Sequence, residues 1–244
     1  DDPRVARMAP RSRARVMTVG HADSADVQIL KVRLDTERAR TQVRLRTAVG
    51  DVDADLPLFG AHFARAAGLA IAAAVACDIA PIRAAERLAS VELPDGRAAI
   101  RHFGGVRIVD DTYNAAPSSM AAALATLAAC SERRYAALGA MGELGQYADD
   151  AHRAVGRQAA ASGLALLVVL GPEADGIAEG AREGGMPVER ILRLPADDAG
   201  LDAAAGMLGD RAARGDTILV KASRAAELER LVVRLEHTLG AERP

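Results

Sequence analysis

The stretch Asp110–Met120 reads DDTYNAAPSSM and joins a strand-like run at Val106–Val109 to a helical run at Met120–Cys130. Because consecutive side chains of a strand point to opposite faces, only one of Asp110 and Asp111 can face a given site. Two carboxylates at the end of a strand are found in polar connecting loops and in functional turns. The residues of this stretch leave both interpretations open.

The helix that follows this stretch has recognisable start signals. Pro117 suits the first helical turn, where a backbone N–H has no partner within the helix. Ser118 or Ser119 can provide a capping hydroxyl. We therefore expect a strand, a tight turn and a helix in immediate succession.

After Asp111, strand-like and helical runs alternate along the chain. The four further pairs are Tyr135–Gly139 with Asp149–Ser162, Leu164–Gly171 with Ala174–Gly184, Arg190–Leu194 with Leu201–Arg214, and Thr217–Val220 with Ala225–Leu239. The run LALLVVL in the second pair is almost continuously apolar, which is typical of a parallel strand buried on both faces. This alternation predicts an α/β fold with a mostly parallel sheet and helices on both of its faces.

The chain before Asp111 has a different pattern. We predict strands at Arg15–Gly20, Asp26–Leu34 and Thr41–Thr47, a polar connection at Asp51–Asp55, helices at Ala61–Asp78 and Ile82–Val91, and a hairpin of Ala98–Phe103 with Val106–Asp111 around Gly104 and Gly105. The change of pattern predicts a domain boundary near Asp111. The expected domains are 1–110 and 111–244, with the Tyr113–Pro117 turn as the hinge.

The composition excludes some classes of function. The chain has 31 basic and 33 acidic residues and a net charge of −2, which indicates neither a nucleic-acid nor a membrane partner. Half of the residues are hydrophobic but only 2% are aromatic, so the core must consist of Ala, Leu, Val and Ile. Cys77 and Cys130 have no metal-ligand or redox spacing, and we expect both to be buried thiols in a reducing, cytoplasmic compartment.

Three motifs, in order along the chain, resemble those of one enzyme family. DDTYNAAPSSM is similar to DD-[ST]-YNANP-x-SM, LGAMGELG at Leu138–Gly145 to LGDMxELG, and VKASR at Val220–Arg224 to VKGSR. These motifs are typical of the Mur ligases, in particular of the type that adds D-alanyl-D-alanine. The likeness covers nearly the whole chain. Ala116, Ala140 and Ala222 stand where the family usually has Asn, Asp and Gly.

The resemblance implies a fold and a reaction. The fold would be the end of a central ATPase domain followed by a Rossmann-like C-terminal domain with a mostly parallel sheet. The reaction would be ATP-dependent amide formation in peptidoglycan precursor synthesis, with ATP and Mg²⁺, between UDP-N-acetylmuramoyl-tripeptide and D-alanyl-D-alanine. The tripeptide carboxylate would take the γ-phosphoryl group, and the dipeptide amine would then displace phosphate from the acyl phosphate. A monomer is expected.

The resemblance also implies which residues bind ATP. Asp111 aligns with a carboxylate that hydrogen-bonds the ribose, and Arg97, within LPDGR, aligns with an arginine that reaches the phosphates. Tyr113 and Asn114 lie on the expected hinge, where they would order the nucleotide or the closed state. His62 matches the histidine of a helix-start motif, although a packing or capping histidine is the alternative at this position. Two asparagines of that motif, one of which helps to hold the adenine, are replaced here.

Two cations are expected to serve the dipeptide or the transfer step. Lys221 and Arg224 lie at the end of the last predicted strand, and ligands of open α/β sheets bind outside the carboxyl ends of strands. The carboxylate of the dipeptide calls for a lysine point charge or an arginine fork. The alternative for this segment is a helix cap followed by a surface arginine. We assign these two residues to catalysis, and no residue to a metal site.

A phosphate-binding loop of the G-x-x-x-x-G-K-[ST] type is missing from the chain, which contains no Gly-Lys pair. In Mur ligases that loop lies N-terminal to the region resembled here. We therefore expect the chain to be the C-terminal half of a longer ligase and predict that it has no ligase or ATPase activity alone. ATP-dependent phosphate release by the pure chain, above a buffer blank, would contradict this prediction.

Two other functions remain compatible with the sequence. One is a non-catalytic, Rossmann-like binding module derived from a Mur ligase. It is favoured by Ala66, Ala116 and Ala140, which stand where the family usually has Asn, Asn and Asp. The other is a different amide ligase of the same superfamily, such as one that adds glutamate. The YNA-P-SM and VKxSR strings favour the D-alanyl-D-alanine type over that second alternative.

Overall fold

The structure, a computed structural model, describes residues 1–130 and 133–240. The chain divides into two compact units, Asp1–Glu92 and Leu93–Pro244. Residues 241–244 of the predicted second domain lie outside the described residues. In the part of the chain that the structure describes, no helix is both long and apolar enough to span a membrane.

The first unit contains a four-stranded sheet and helices. Its strands are β1 (Val19–Gly20), β2 (Val27–Asp35), β3 (Arg40–Thr47) and β4 (Gly50–Leu56), and its helices are α1 (Pro3–Ala6), α2 (Phe63–Ala76) and α3 (Pro81–Leu88). The strands lie in the order β1-β2-β3-β4, with β1 parallel to β2 and the remaining pairs antiparallel. The predicted strand at Arg15–Gly20 is therefore reduced to two residues.

Strand β4 corrects the prediction of a polar connection at Asp51–Asp55. Val52, Ala54 and Leu56 are buried, whereas the aspartates between them are exposed. The period of two that defines a half-buried strand is thus present, although Asp is disfavoured in strands. Pairing with β3 decides the conformation, because it places the apolar side chains of β4 in the core of the unit.

Helix α2 covers this core with its small side chains. Its buried residues have the spacing of one helical face and are Ala64, Ala67, Gly68, Ile71 and Ala72. Helix α3 begins at Pro81, one residue before the predicted start, because proline suits the first turn, and it ends at Leu88. Cys77, which ends α2, is exposed, and only Cys130 of the two cysteines is buried as expected.

The second unit contains a six-stranded sheet with helices on both faces. Its strands are β5 (Ala99–Phe103), β6 (Val106–Asp111), β7 (Arg134–Gly139), β8 (Leu166–Leu170), β9 (Ile191–Leu194) and β10 (Thr217–Lys221). Its helices are α4 (Pro117–Ala128), α5 (Ala148–Ala161), α6 (Asp175–Glu183), α7 (Asp198–Arg211) and α8 (Glu229–Gly240). Helices α4, α5 and α6 pack as one layer, and α7 and α8 pack as the other.

The sheet order is β5-β6-β10-β7-β8-β9, and all pairs from β6 to β9 are parallel. The predicted mostly parallel sheet is therefore confirmed. The last strand, β10, lies between β6 and β7. The helix after β10, α8, packs against β5 and β6, whereas the connection after β7 leads to β8 on the other side, so the chain leaves these two neighbouring strands in opposite directions. Such a switch point is where open α/β sheets form a crevice for ligands.

The hairpin β5–β6 corrects the predicted domain boundary. Its two strands are antiparallel and are joined by a two-residue turn, for which Gly104 and Gly105 have the positive φ values of +56° and +78°. Strand β6 also pairs with β10. The hairpin thus belongs to the second sheet, and the second unit begins at Leu93 rather than at Asp111. The Tyr113–Pro117 turn connects β6 to α4 inside this unit.

The cores consist of the residue types that the composition predicts. Both are built mainly from Ala, Leu, Val and Ile. Phe59 in the first unit and Tyr135 in the second are the fully buried aromatic side chains among the described residues. The Tyr135 hydroxyl donates a hydrogen bond to the Arg211 carbonyl at 2.8 Å, which satisfies its polar group.

Candidate functional site

Three loops come together at the carboxyl ends of three neighbouring strands. They follow β6 (Thr112–Ala116), β10 (Ala222–Ser223) and β7 (Ala140–Leu144). Because Lys221 at the end of β10 is in register with Asp111 of β6 and with Leu138 of β7, the loops start side by side. The three sequence motifs thus form one edge of the sheet, at its switch point.

Lys221 holds two of these segments together. Its ammonium lies 2.6 Å from the Asp111 carboxylate and donates to the Asn114 carbonyl at 2.8 Å. The residue is 1% exposed, so its charge is neutralised inside the protein. The other carboxylate oxygen of Asp111 accepts the backbone N–H of Ala98 at 3.1 Å. This environment favours a positioning role for Lys221 over the direct substrate contact that the sequence suggested.

Asp110 points to the other face, as the alternation of a strand predicts. It is 3% exposed, accepts a hydrogen bond from the Thr112 hydroxyl at 2.8 Å, and pairs with Arg101 at 3.3 Å. Asp111 keeps 19% of its side chain exposed at the sheet edge. Asp111 is therefore the carboxylate of the pair that a ligand at this edge can reach.

Arg97 and Tyr113 form an exposed stack beside Asp111. The Arg97 guanidinium lies 4.0 Å from the centre of the Tyr113 ring, a cation–π contact. The Tyr113 N–H donates to the Gly96 carbonyl at 2.9 Å, and Gly96 has φ of +72°, which a residue with a side chain rarely adopts. The LPDGR turn is thus attached to the turn after β6, and it presents a planar fork suited to phosphate.

The Ser223 hydroxyl joins all three loops. It accepts the Gly142 N–H at 2.7 Å and donates to the Ala115 carbonyl at 3.3 Å. The Ser223 N–H also donates to the Ala140 carbonyl at 2.9 Å. Ser223 is buried, and its bond to the Ala115 carbonyl is shielded from water, whereas its bond to Gly142 is partly buried.

A residue that the sequence analysis missed, His152 on α5, holds the loop after β7. Its Nε2 accepts the Met141 N–H at 2.8 Å, and its Nδ1 lies 2.8 Å from the Ala148 carbonyl. Burial lowers the pKa of His152, which favours the neutral imidazole. A signal was present, because His152 shares a helical face with the apolar Val155 and Ala159 directly after the second motif.

Arg224 is the exposed cation of the VKASR segment. Its guanidinium lies 3.0 Å from Glu229 at the start of α8, and 67% of its side chain is exposed. One nitrogen of the fork is therefore engaged with Glu229, while most of the side chain remains exposed to solvent. Unlike Lys221, Arg224 has donors that a ligand can reach.

Arg97, Asp111, Tyr113, Asn114, Lys221 and Arg224 thus all lie in the second unit, at or beside the loops of one sheet edge. His62 lies in the first unit, immediately before α2, with its ring 4.1 Å from the ring of Phe63. Its packing against Phe63 is compatible with the structural alternative considered for this histidine.

Comparison with known proteins identifies the family of this chain. Residues 96–224 match the family described as Mur ligase, glutamate ligase domain. The chain belongs to the Mur ligase family. The matched range begins within the LPDGR turn, at Gly96, and ends at Arg224, so it contains the loops of the sheet edge described above.

Several Mur ligases are similar over the full chain. It is 34% identical to the UDP-N-acetylmuramoyl-tripeptide–D-alanyl-D-alanine ligase of Mycobacterium tuberculosis over 263 aligned residues, which cover 100% of this chain and 51% of that protein. The MurF ligase of Thermotoga maritima, solved in complex with ADP, matches with a TM-score of 0.82 and 26% identity over 98% of this chain and 52% of that chain. MurF of Acinetobacter baumannii, at 24% identity, has the same fold, with a TM-score of 0.83, 97% of this chain and 50% of that chain covered. The chain therefore spans about half the length of these Mur ligases.

The structure accounts for one departure from the Mur ligase motifs. Ala222 is fully buried, and a Cβ added to Gly139 would lie 2.8 Å from its methyl group. The glycine of β7 thus provides the space that the alanine of VKASR occupies.

Ala116 forms the N-cap position of α4, and its N–H is satisfied by the Ser119 hydroxyl at 3.0 Å. Of the two serines predicted as caps, Ser119 is the one that fills this role.

Proposed function

We propose that this chain is the part of a D-alanyl-D-alanine-adding Mur ligase that contacts the nucleotide and receives the dipeptide. The observation that supports the proposal best is the convergence of the three motif loops at the switch point of the parallel sheet. One side of this edge offers the Arg97–Tyr113 stack and Asp111. The other side offers the exposed Arg224. Both a nucleotide and a carboxylate thus find suitable partners there.

The proposed nucleotide contacts follow from the chemistry of the exposed groups. The Arg97 fork would bind phosphate oxygens, while its stacking on Tyr113 limits its freedom before the ligand arrives. Asp111 would accept hydrogen bonds from the ribose hydroxyls, because Lys221 and Ala98 leave part of its acceptor capacity unused. Asn114 is exposed, and its Oδ1 accepts the Ala115 N–H at 2.8 Å, so its side-chain NH₂ group is the part left for a ligand.

The proposed reaction needs positioning and charge neutralisation rather than a protein nucleophile. The tripeptide carboxylate attacks the γ-phosphorus of ATP, and ADP leaves, so that an acyl phosphate forms. The dipeptide amine then attacks the acyl carbon, phosphate leaves, and the amine loses a proton. Mg²⁺ would accompany the nucleotide. Among the described residues, no three His, Cys, Asp or Glu side chains are grouped so as to bind a metal ion.

Arg224 is the proposed contact for the dipeptide carboxylate. Glu229 restrains one end of its guanidinium, so less conformational freedom is lost when a carboxylate binds. Lys221 would serve the same step indirectly, by holding Asp111 and Asn114 against β10. We further propose that the first unit, which contains His62, belongs to the central ATPase domain and that Leu93–Pro244 is the C-terminal domain.

We expect Arg224→Lys to raise the Michaelis constant for D-alanyl-D-alanine about tenfold in the complete ligase. The charge remains, but the paired N–H donors are lost, and a charge-assisted hydrogen bond is worth about 1.5–3 kcal/mol. Steady-state kinetics with ATP and the dipeptide varied separately would measure this. Arg230→Lys, on the adjacent helix, is the matched control and should leave both constants unchanged. If Arg224→Lys shifts only the constant for ATP, the dipeptide role is wrong.

The same experiment separates the ligase from a non-catalytic binding module. A ligase releases phosphate in proportion to the dipeptide that it joins to the tripeptide. A module that has lost catalysis would bind the nucleotide, as equilibrium titration can show, without any turnover. The complete wild-type protein therefore decides between the two before any variant is compared.

A further inference from the structure

His152 is buried and makes two hydrogen bonds of opposite direction. Its Nδ1 lies 2.8 Å from the Ala148 carbonyl, which can only accept, so Nδ1 carries the hydrogen. Its Nε2 is then an acceptor, and it receives the Met141 N–H at 2.8 Å. Since His152 and Met141 are each 3% exposed, water does not compete for this bond.

The loop after β7 is held at two consecutive amides by side chains from two different elements. His152 of α5 accepts the N–H of Met141, and Ser223, after β10, accepts the N–H of Gly142. The next residue, Glu143, is exposed and has φ of +62°, a conformation that costs free energy for a residue with a side chain. The two bonds thus hold a loop that would otherwise relax.

We propose that His152 is a positioning residue for the dipeptide step: it holds the Ala140–Gly145 loop against Ser223 and thereby keeps Arg224 and the loop in a fixed relation. This inference rests on the proposed function. His152 touches no reacting group. His152 binds the N–H of Met141, and Ser223 binds the N–H of the next residue, Gly142. Ser223 immediately precedes Arg224 in the chain, so His152 acts on Arg224 through the loop.

Loss of the Nε2 acceptor should release the loop. The Met141 N–H would remain buried without a partner in the present conformation, which disfavours that conformation by about ten- to a hundredfold. An opened loop would leave the Ser223 hydroxyl without its Gly142 donor. The expected functional consequence is weaker binding of the dipeptide, while the Arg97–Tyr113 stack, attached through Gly96, keeps its contacts.

Substitutions of His152 by asparagine and by glutamine test the roles of its two ring nitrogens separately. In His152→Asn, the side-chain amide occupies the Nδ1 position and can still bond to Ala148, but it does not reach Met141. In His152→Gln, the longer side chain places its amide near the Nε2 position and can accept the Met141 N–H. The matched control is His237→Asn, because His237 also lies 2.8 Å from the carbonyl four residues earlier but is exposed on α8.

The first measurement is amide hydrogen exchange of Met141 and Gly142 by NMR in the 244-residue chain. We expect exchange at both amides to be about ten- to a hundredfold faster in His152→Asn, and near the wild-type rate in His152→Gln and His237→Asn. Unchanged protection in His152→Asn would overturn the proposal. This measurement needs no activity, so it does not depend on the proposed function.

The second measurement is the steady-state kinetics of the complete ligase. In His152→Asn the Michaelis constant for D-alanyl-D-alanine should rise at least fivefold with that for ATP unchanged, and His152→Gln should restore it. If exchange is faster but the Michaelis constant for the dipeptide does not change, or if the constant for ATP rises equally, His152 has only a structural role and the positioning role is wrong. Absence of any dipeptide-dependent turnover in the wild-type ligase would instead reject the proposed function, and the dipeptide role with it.

Discussion

Replacement of Lys221 by methionine should destabilise the second unit by about 3 kcal/mol. The Lys221 ammonium is buried and neutralises Asp111, and removal of one partner of a buried ion pair typically costs 3–5 kcal/mol. We expect the lower end of that range, because Asp111 keeps 19% of its side chain exposed to water. The Asn114 carbonyl also loses its donor.

Urea unfolding of the 244-residue chain measures this effect directly. All three tyrosines, Tyr113, Tyr135 and Tyr147, lie in the second unit, so tyrosine fluorescence reports on that unit. Lys31→Met is the matched control, since Lys31 is the other lysine of the chain and is exposed in the first unit. Adding Asp111→Asn to Lys221→Met should recover part of the lost free energy of unfolding, because Asp111 is then no longer an unpaired charge. If Lys221→Met lowers the free energy of unfolding by less than about 1 kcal/mol, the Lys221–Asp111 ion pair is not a major source of stability and the prediction is wrong.

Gly180→Ala should destabilise the second unit by about 3 kcal/mol, at the upper end of the overpacking range. Gly180 of α6 packs directly on the backbone of α5, and an added Cβ would lie 2.7 Å from the Cα of Arg153 and closer still to its carbonyl oxygen. Gly156 of α5 meets the backbone of α6 in the same way. Because backbone atoms of a helix cannot rotate away, the two helices would have to separate.

Gly206→Ala is the matched control for this substitution. Gly206 lies within α7, and a Cβ added there would have no atom within 4 Å. The same change should therefore stabilise the unit by about 0.5–1 kcal/mol, because alanine is the better helix former and has fewer unfolded conformations. Urea unfolding followed by tyrosine fluorescence compares the two variants. If Gly180→Ala were neutral, the close crossing of α5 and α6 would be wrong.

Local pattern was sufficient for most elements of the second unit. The continuous apolar run of β8 and the alternation of strands and helices predicted a parallel sheet, which the structure confirms. Local pattern was not sufficient for β4 or for the domain boundary. The aspartates of β4 concealed its alternation, and the β5–β6 hairpin has the same local pattern whichever sheet it joins. Its pairing with β10, far along the chain, decides the question.

The candidate site was predictable in part. The motifs and their place at the carboxyl ends of strands could be inferred, since parallel strands all end at one edge. The contacts within the site could not. Lys221 and Asn114 are 107 residues apart, and they meet because β10 is inserted between β6 and β7. The place of His152 on the buried face of α5 could be read from the sequence, but its partner could not, because any residue type can supply a backbone amide.

The sequence by itself determined the α/β class, the apolar core without aromatic dominance, the strand-to-helix turn after Asp111 and the likeness to Mur ligases. These features depend on the periodicity and identity of neighbouring residues, and such information is local. Only the tertiary structure decided that Lys221 is neutralised by Asp111, whereas Arg224 remains open to a ligand. The physical reason is that the free energy of a charge depends on its burial and its partner, and both are set by the order of the strands.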